Sequence, residues 1–202
     1  MQLVYAKGYV MLFLLNNVIG INNIHVFLII FVIISIYLIN TIMITEKLQN
    51  AINEQITAEM WSSNLYLAMS FYMEKEGYCG MASWLKKQSF EEHAHACELA
   101  SYIIKRGGKA KLDKVDVVPN DFGTPLEVFE QVYEHECRVS KMIDALVDVA
   151  AAEKDKASQD FLWGFVREQV EEEATAAGIV DMVKKAGAAG IFFIDAKLGE
   201  RK

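Results

Sequence analysis

From residue 46 onward, apolar side chains recur at steps of three and four, the spacing that draws one stripe along a helix. A first helix is predicted from Glu46 to about Glu76, with the stripe Leu48, Ile52, Ile56, Glu59, Ser63, Tyr66 and Met73. Thr45 stands where an N-cap is needed. Gly77-Tyr78-Cys79-Gly80 interrupts the pattern. A second helix then runs from about Met81 to Arg106, with the stripe Trp84, Gln88, Glu92, His95, Leu99 and Tyr102, and Gly107-Gly108 ends it. The polar stretch Lys109 to Gly123 is long enough to travel the length of a bundle rather than turn straight back. Thr124-Pro125-Leu126-Glu127 has the form of a capping box with proline at the first helical position. It opens a third helix to about Lys154, with the stripe Phe129, Tyr133, Glu136, Ser140, Ile143 and Val147. After a break at Asp155 to Ser158, a fourth helix reaches about Lys185 on Phe161, Phe165, Glu168/Gln169, Glu172, Ile179 and Val183. Gly187 and Gly190 punctuate it, and Ile191 to Leu198 suits a short fifth helix. The expected fold is all-α: a four-helix bundle with one long crossover and a short C-terminal fifth helix.

Each long helix carries a polar, metal-capable residue on its own apolar stripe near mid-length: Glu59, then Glu92 with His95, then Glu136, then Gln169 and Glu172. Glu92 and His95, three apart, point the same way from one helix. In an antiparallel bundle these residues converge at one level. Several carboxylates gathered in a core repel one another if ionised, and an unpaired buried charge is very costly. Multivalent cations remove the conflict, and oxygen donors with one imidazole suit iron or manganese. Taken singly, each residue has a plainer reading. A lone Glu-x-x-His is common, Glu171-Glu172-Glu173 reads as a solvated face, and Glu59 or Glu136 alone reads as a salt-bridge partner. Their joint placement is what points to metal. Tyr66, two turns after Glu59, is placed to hydrogen-bond a ligand or pass an electron. His93 and His135 lie off the stripes, on the outer face or behind the ligands, and Cys137 reads as packing.

Residues 1–42 follow another rule. No formal charge occurs between Lys7 and Glu46, and Val26 to Ile44 is an apolar run of bilayer-spanning length. Two readings stand: a membrane anchor, or a start placed upstream of a domain that begins at Met43. The second is favoured; no small-x-small site supports a cleaved signal. The chain is therefore divided into an apolar extension, 1–42, and a folded domain, 43–202.

The net charge of −7 argues against a nucleic-acid surface and for tolerance of cations. Three cysteines without a C-x-x-C pair suit a reducing cytoplasm rather than a disulfide framework.

Residues 43–202 resemble bacterial non-haem ferritins throughout. The matches are Asn53-Glu54-Gln55 leading to Glu59 and Tyr66, Glu91-Glu92-x-x-His95, Tyr133-x-His135-Glu136, and Phe165-Val166-x-Glu168-Gln169-x-Glu171-Glu172-Glu173, with Phe193-Ile194-Asp195 near the end. The resemblance implies a ferroxidase that oxidises Fe(II) in pairs with dioxygen or hydrogen peroxide. It then stores the product as a hydrated ferric oxide inside a hollow homo-oligomeric shell of 24 subunits. Glu59, Glu92 and His95 would hold a first iron, Glu92 would bridge to a second on Glu136, and Gln169 and Glu172 would complete the diiron site. A third iron position would draw on Glu91, Glu168, Glu171 and Glu172. Tyr66 matches the tyrosine beside the iron pair. Two departures separate the chain from bacterioferritins: Glu168 and Glu171 stand where a second Glu-x-x-His would fall, and His93 stands at the place of the haem-binding methionine, so no haem is expected. The cytoplasm is the expected location, with membrane association only if residues 1–42 belong to the working protein.

Two rivals are weaker. A rubrerythrin-like peroxidase or membrane-attached diiron oxidase lacks, respectively, its paired-cysteine module and its symmetric second Glu-x-x-His. A metal-free structural bundle requires lysine or arginine on the facing stripes, and the stripes contain none.

Overall fold

The computed structural model describes residues 28–34 and 43–201. Residues 28–34 form a short helical segment that clusters apart from the unit beginning at Ile44. The rest of the apolar run Val26 to Ile44 falls largely outside the described residues. No described helix is long and apolar enough to cross a membrane.

Four helices make the folded unit: α1 (Glu46–Lys75), α2 (Cys79–Lys105), α3 (Pro125–Ala152) and α4 (Lys156–Gly199). Each start is set by local chemistry. Thr45 accepts a hydrogen bond from the Leu48 amide at the head of α1. Thr124 and Glu127 form a reciprocal capping box behind Pro125 at the head of α3. Asp155 accepts from the Ser158 amide at the head of α4. Such caps contribute about 1 kcal/mol each by satisfying amides that have no helical partner. Gly187, with φ 55° and ψ −168°, breaks α4, and the short arm beyond it is the expected fifth helix.

The crossover between α2 and α3 follows α1 along its length. Asn53 donates from Nδ2 to the Lys109 carbonyl (3.1 Å) and accepts from the Lys111 amide (2.8 Å). Further along, the Trp61 indole donates to the Val117 carbonyl, and Tyr72 meets Phe122 edge-on. The chain thus starts α3 at the end of the bundle where α2 also starts. The helices run up, down, down and up. At the opposite end Arg106 grips Asp155 at 2.9 and 3.1 Å, fastening α2 to the α3–α4 turn.

This path gives the core its arrangement. One apolar cluster contains Leu65, Met69, Leu85, Phe129 and Ile179; another contains Ile52, Leu99, Ile143 and Phe165. On every helix the polar residues of interest fall between the two. α3 is rotated slightly from the expectation: Tyr133 is exposed, whereas Val132, His135, Val139 and Leu146 are buried. Val132 and Tyr133 are both apolar enough to continue a stripe from Phe129, and the tyrosine hydroxyl favours the side that reaches water.

The arm after Gly187 docks on the head of α2. Asp195 accepts from the Met81 amide at 2.8 Å, and Phe192 stacks on Tyr78. A Cβ at Gly80 would stand 1.8 Å from the Asp195 carbonyl oxygen, so glycine is required for this approach. Gly80→Ala is expected to undock the arm while leaving the bundle folded. Hydrogen exchange should accelerate across residues 188–199 and stay slow in α1; unchanged protection of the arm would refute the contact.

Candidate metal centre

Glu59 of α1 and Glu92 and His95 of α2 each present a ligand atom, all within 4.8 Å of one another. Both carboxylates are buried, Glu59 with 2% of its surface exposed. One Glu59 oxygen accepts from the Gln55 amide at 2.8 Å. The other, Oε2, is buried without a hydrogen-bond donor. An unsatisfied buried carboxylate oxygen is costly, and a cation at this point would satisfy it.

Glu136 of α3 stands beside this group, 1% exposed. The Tyr66 hydroxyl donates to one of its oxygens and the Gln169 amide to the other, at 3.1 Å. Gln169 also reaches Ser140 at 3.5 Å. His95 is held from two sides: Nδ1 lies 3.4 Å from Glu92 and Nε2 lies 3.2 Å from Glu168. Phe165 packs edge-on against its ring. Glu172, half-buried, accepts from Gln88 at 3.1 Å. Glu91 is engaged by Arg201, and Glu171 is exposed on α4.

The electrostatics follow from burial and from carboxylates crowded together. Burial, and then the charge of Glu92, hold the Glu59 carboxyl well above its ordinary 4.5. Burial also raises Glu92, and the neighbouring His95 and Glu59 work against it. Burial raises Glu136 to about 7, against the lowering effect of Tyr66 and Gln169. Burial works against a charged His95, yet the hydrogen bonds and charges of Glu168 and Glu92 prevail and lift it to about 11. Its proton occupies the place of a positive charge between two carboxylates. A metal on the ring would displace that proton, which ties binding to pH. Burial and the charge of Glu136 raise the Tyr66 phenol, so it stays a neutral donor.

Among the described residues, Glu59, Glu92 and Glu136 form no ion pair with lysine or arginine. That removes the arrangement a metal-free bundle would need. The oxygen-rich donor set with one imidazole fits iron or manganese.

The structure brings Glu59, Glu92 and His95 into one group and sets Glu136, Tyr66 and Gln169 beside it; Glu168 touches His95, Glu172 acts by charge on Glu136 and Tyr66, Glu91 pairs with Arg201, and Glu171 is exposed. His93 is exposed on the outer face, and His135 takes the other expected place, behind the ligands: it is buried, with Nε2 2.8 Å from Ser62 Oγ and its ring edge-on to Tyr66. Burial, with Arg138 nearby, lowers it to about 4, and a neutral ring therefore backs the tyrosine. Gln55 was not singled out from the sequence as a partner of the site. It stands four residues before Glu59, as Gln88 stands four before Glu92, one helical turn back on the same face. That spacing was the available signal.

The family model for the ferritin-like domain matches residues 49–186. A bacterial non-heme ferritin of Bacteroides fragilis is 76% identical over 159 residues, covering 79% of this chain and all of that protein. A bacterial non-heme ferritin of Campylobacter jejuni is 36% identical over 148 residues, covering 73% of this chain and 89% of that one. Among solved structures, the open-pore ferritin of the archaeon Archaeoglobus fulgidus matches with a TM-score of 0.77 and 42% identity, over 79% of this chain and 99% of its own.

A pH dependence follows from the raised groups. Glu136 sits near 7 when folded, above its ordinary 4.5, so its contribution is fully present below pH 4.5 and is lost as pH rises through 7. His95, ordinarily 6.5 and raised to about 11, acts in the same direction from pH 6.5 upward. Chelator-treated protein should therefore lose stability between pH 5 and 8, by about 1–3 kcal/mol from Glu136 alone. Melting temperatures across that range should fall, and Glu136→Gln should flatten the decline. A profile indifferent to that substitution would refute the assignment.

Proposed function

The chain belongs to the ferritin family, and on that footing we propose that it is an iron-storage ferritin whose ferroxidase centre is the polar layer described above. The observation that carries the reading is the convergence of Glu59, Glu92 and His95, whose ligand atoms lie within 4.8 Å of one another, inside an apolar core where no described lysine or arginine pairs with them.

Fe(II) is the substrate. Glu59, Glu92 and His95 hold one ion; Glu92 bridges to a second on Glu136, with Gln169 and Glu172 completing the surroundings. Binding requires Glu59, Glu92 and Glu136 to ionise and His95 to give up its proton, so the incoming ions release protons as they enter. Holding two Fe(II) together lets two electrons leave as a pair to dioxygen or hydrogen peroxide. Tyr66 fixes the Glu136 carboxylate through its hydroxyl and keeps a redox-active phenol against the second ion. Neutral His135 behind it adds no charge that would repel a cation. Glu91, Glu168, Glu171 and Glu172 form a third position on the way out. The ferric product leaves for the interior of a shell of 24 copies, where it grows as a hydrated oxide. The negative net charge favours ferrous ions at the surface.

We assign this work to residues 43–202 and none of it to the apolar extension. The Bacteroides relative, matched over its whole length without the first fifth of this chain, supports that division.

Two outcomes are expected. A chain beginning at Met43 should assemble into a large hollow particle and oxidise Fe(II) rapidly, with saturation at about two ions per chain set by the paired site. Failure to assemble would show that the extension is needed. Glu92→Ala should abolish the fast phase, read by absorbance under air, while circular dichroism stays helical. Normal rates in that variant would sink the site assignment.

A further inference from the structure

The C-terminal arm ends on the outer carboxylates. Arg201 Nη2 donates to both oxygens of Glu91, at 2.8 and 2.6 Å, and Nη1 donates to Gln88 Oε1. The guanidinium lies 5.1 Å over the Trp84 ring. The Arg201 carbonyl in turn accepts from Lys87 Nζ. Trp84, Lys87, Gln88 and Glu91 fall on one face of α2, spaced three, one and three apart, and all four grip the same residue. Gln88 is fully buried. Its carbonyl end is taken by Arg201, so its amide nitrogen is turned to Glu172, at 3.1 Å. Burial and the charge of Glu91 raise Glu172, and Arg201 works against both. One guanidinium thus acts on two carboxylates of the outer cluster, on Glu91 directly and on Glu172 by charge and through a shared amide.

We propose that Arg201 is the resident cation of this cluster: it holds Glu91 and orients Glu172 before iron arrives, and it must leave Glu91 before an iron ion can take the third position. The inference rests on the assignment of Glu91, Glu168, Glu171 and Glu172 to that position. One guanidinium nitrogen engages both oxygens of Glu91 while the other holds Gln88, so a metal on Glu91 must compete with a cation already paired there. Arg201 therefore ranks the positions. The two inner ones, which no guanidinium reaches, fill first. The third fills when local iron is high enough to compete. The Glu91 side chain is 44% exposed, and water screens the pair; the penalty on the third ion is correspondingly modest, about fivefold to tenfold in affinity.

Manganese(II) is a suitable probe, since carboxylates suit it and it binds without turnover. The assembled full chain is titrated and free manganese is counted by electron paramagnetic resonance. Arg201→Ala is expected to tighten the third ion per chain by about fivefold to tenfold, with the first two unchanged. Arg201→Lys, a point charge that cannot hold Glu91 and Gln88 together, should fall between. Glu91→Gln introduced into Arg201→Ala should cancel the gain. If Glu91→Gln weakens the third ion but Arg201→Ala and Arg201→Lys leave it unaltered, the clamp is refuted and the position stands. If Glu91→Gln changes nothing in either background, the position itself is absent, and the proposal falls with the reading beneath it.

Discussion

Three carboxylates buried at one level of an apolar bundle, with no lysine or arginine among the described residues set against them, are the constraint that orders the rest of the structure. Left ionised and unbalanced they would repel across a medium that screens poorly. Amides and one imidazole lie against them in place of lysine or arginine. Burial favours the protonated carboxyls, His95 holds its proton between Glu92 and Glu168, and Gln55, Gln88 and Gln169 each offer an amide to one carboxylate. These are reversible solutions. A proton leaves when a cation arrives, whereas a lysine in the same place would compete permanently. The layer is thus stable enough to fold and still available for binding.

The fold supplies this layer by topology. The crossover carries the chain the length of α1, so that α2 and α3 begin at the same end. Residues near mid-helix then meet whichever direction their helix runs. Small errors in helix length change little at mid-height, while a shift of rotation changes everything. The apolar clusters on either side fix that rotation, and Tyr66 and Gln169 hold Glu136 from α1 and α4.

Much of this was legible in the chain. The four helices, the crossover and the fifth helix follow from apolar spacing, a capping box and paired glycines, because those signals are local. The polar residues on each stripe were legible for the same reason: a glutamate at a core position contradicts its surroundings. Rotation within a turn was less so. Val132 and Tyr133 both satisfy the periodicity of α3, and packing against three neighbours decides between them; His135 was turned inward by that decision. Arg201 left no trace at all. It lies more than a hundred residues from Glu91, beyond a glycine kink whose direction no short-range pattern encodes.

The division of the apolar core by the polar layer has a consequence for how the protein comes apart. Two hydrophobic clusters, one at each end of the bundle, are joined across a waist whose contacts are hydrogen bonds and the ion pairs of His95. Each end is a candidate cooperative unit in its own right, able to open while the other holds. Cations bound at the waist as proposed would tie α1, α2 and α3 together at the level where the halves meet. Loading with iron would then be more than cargo capture: it would convert two loosely coupled folding units into one.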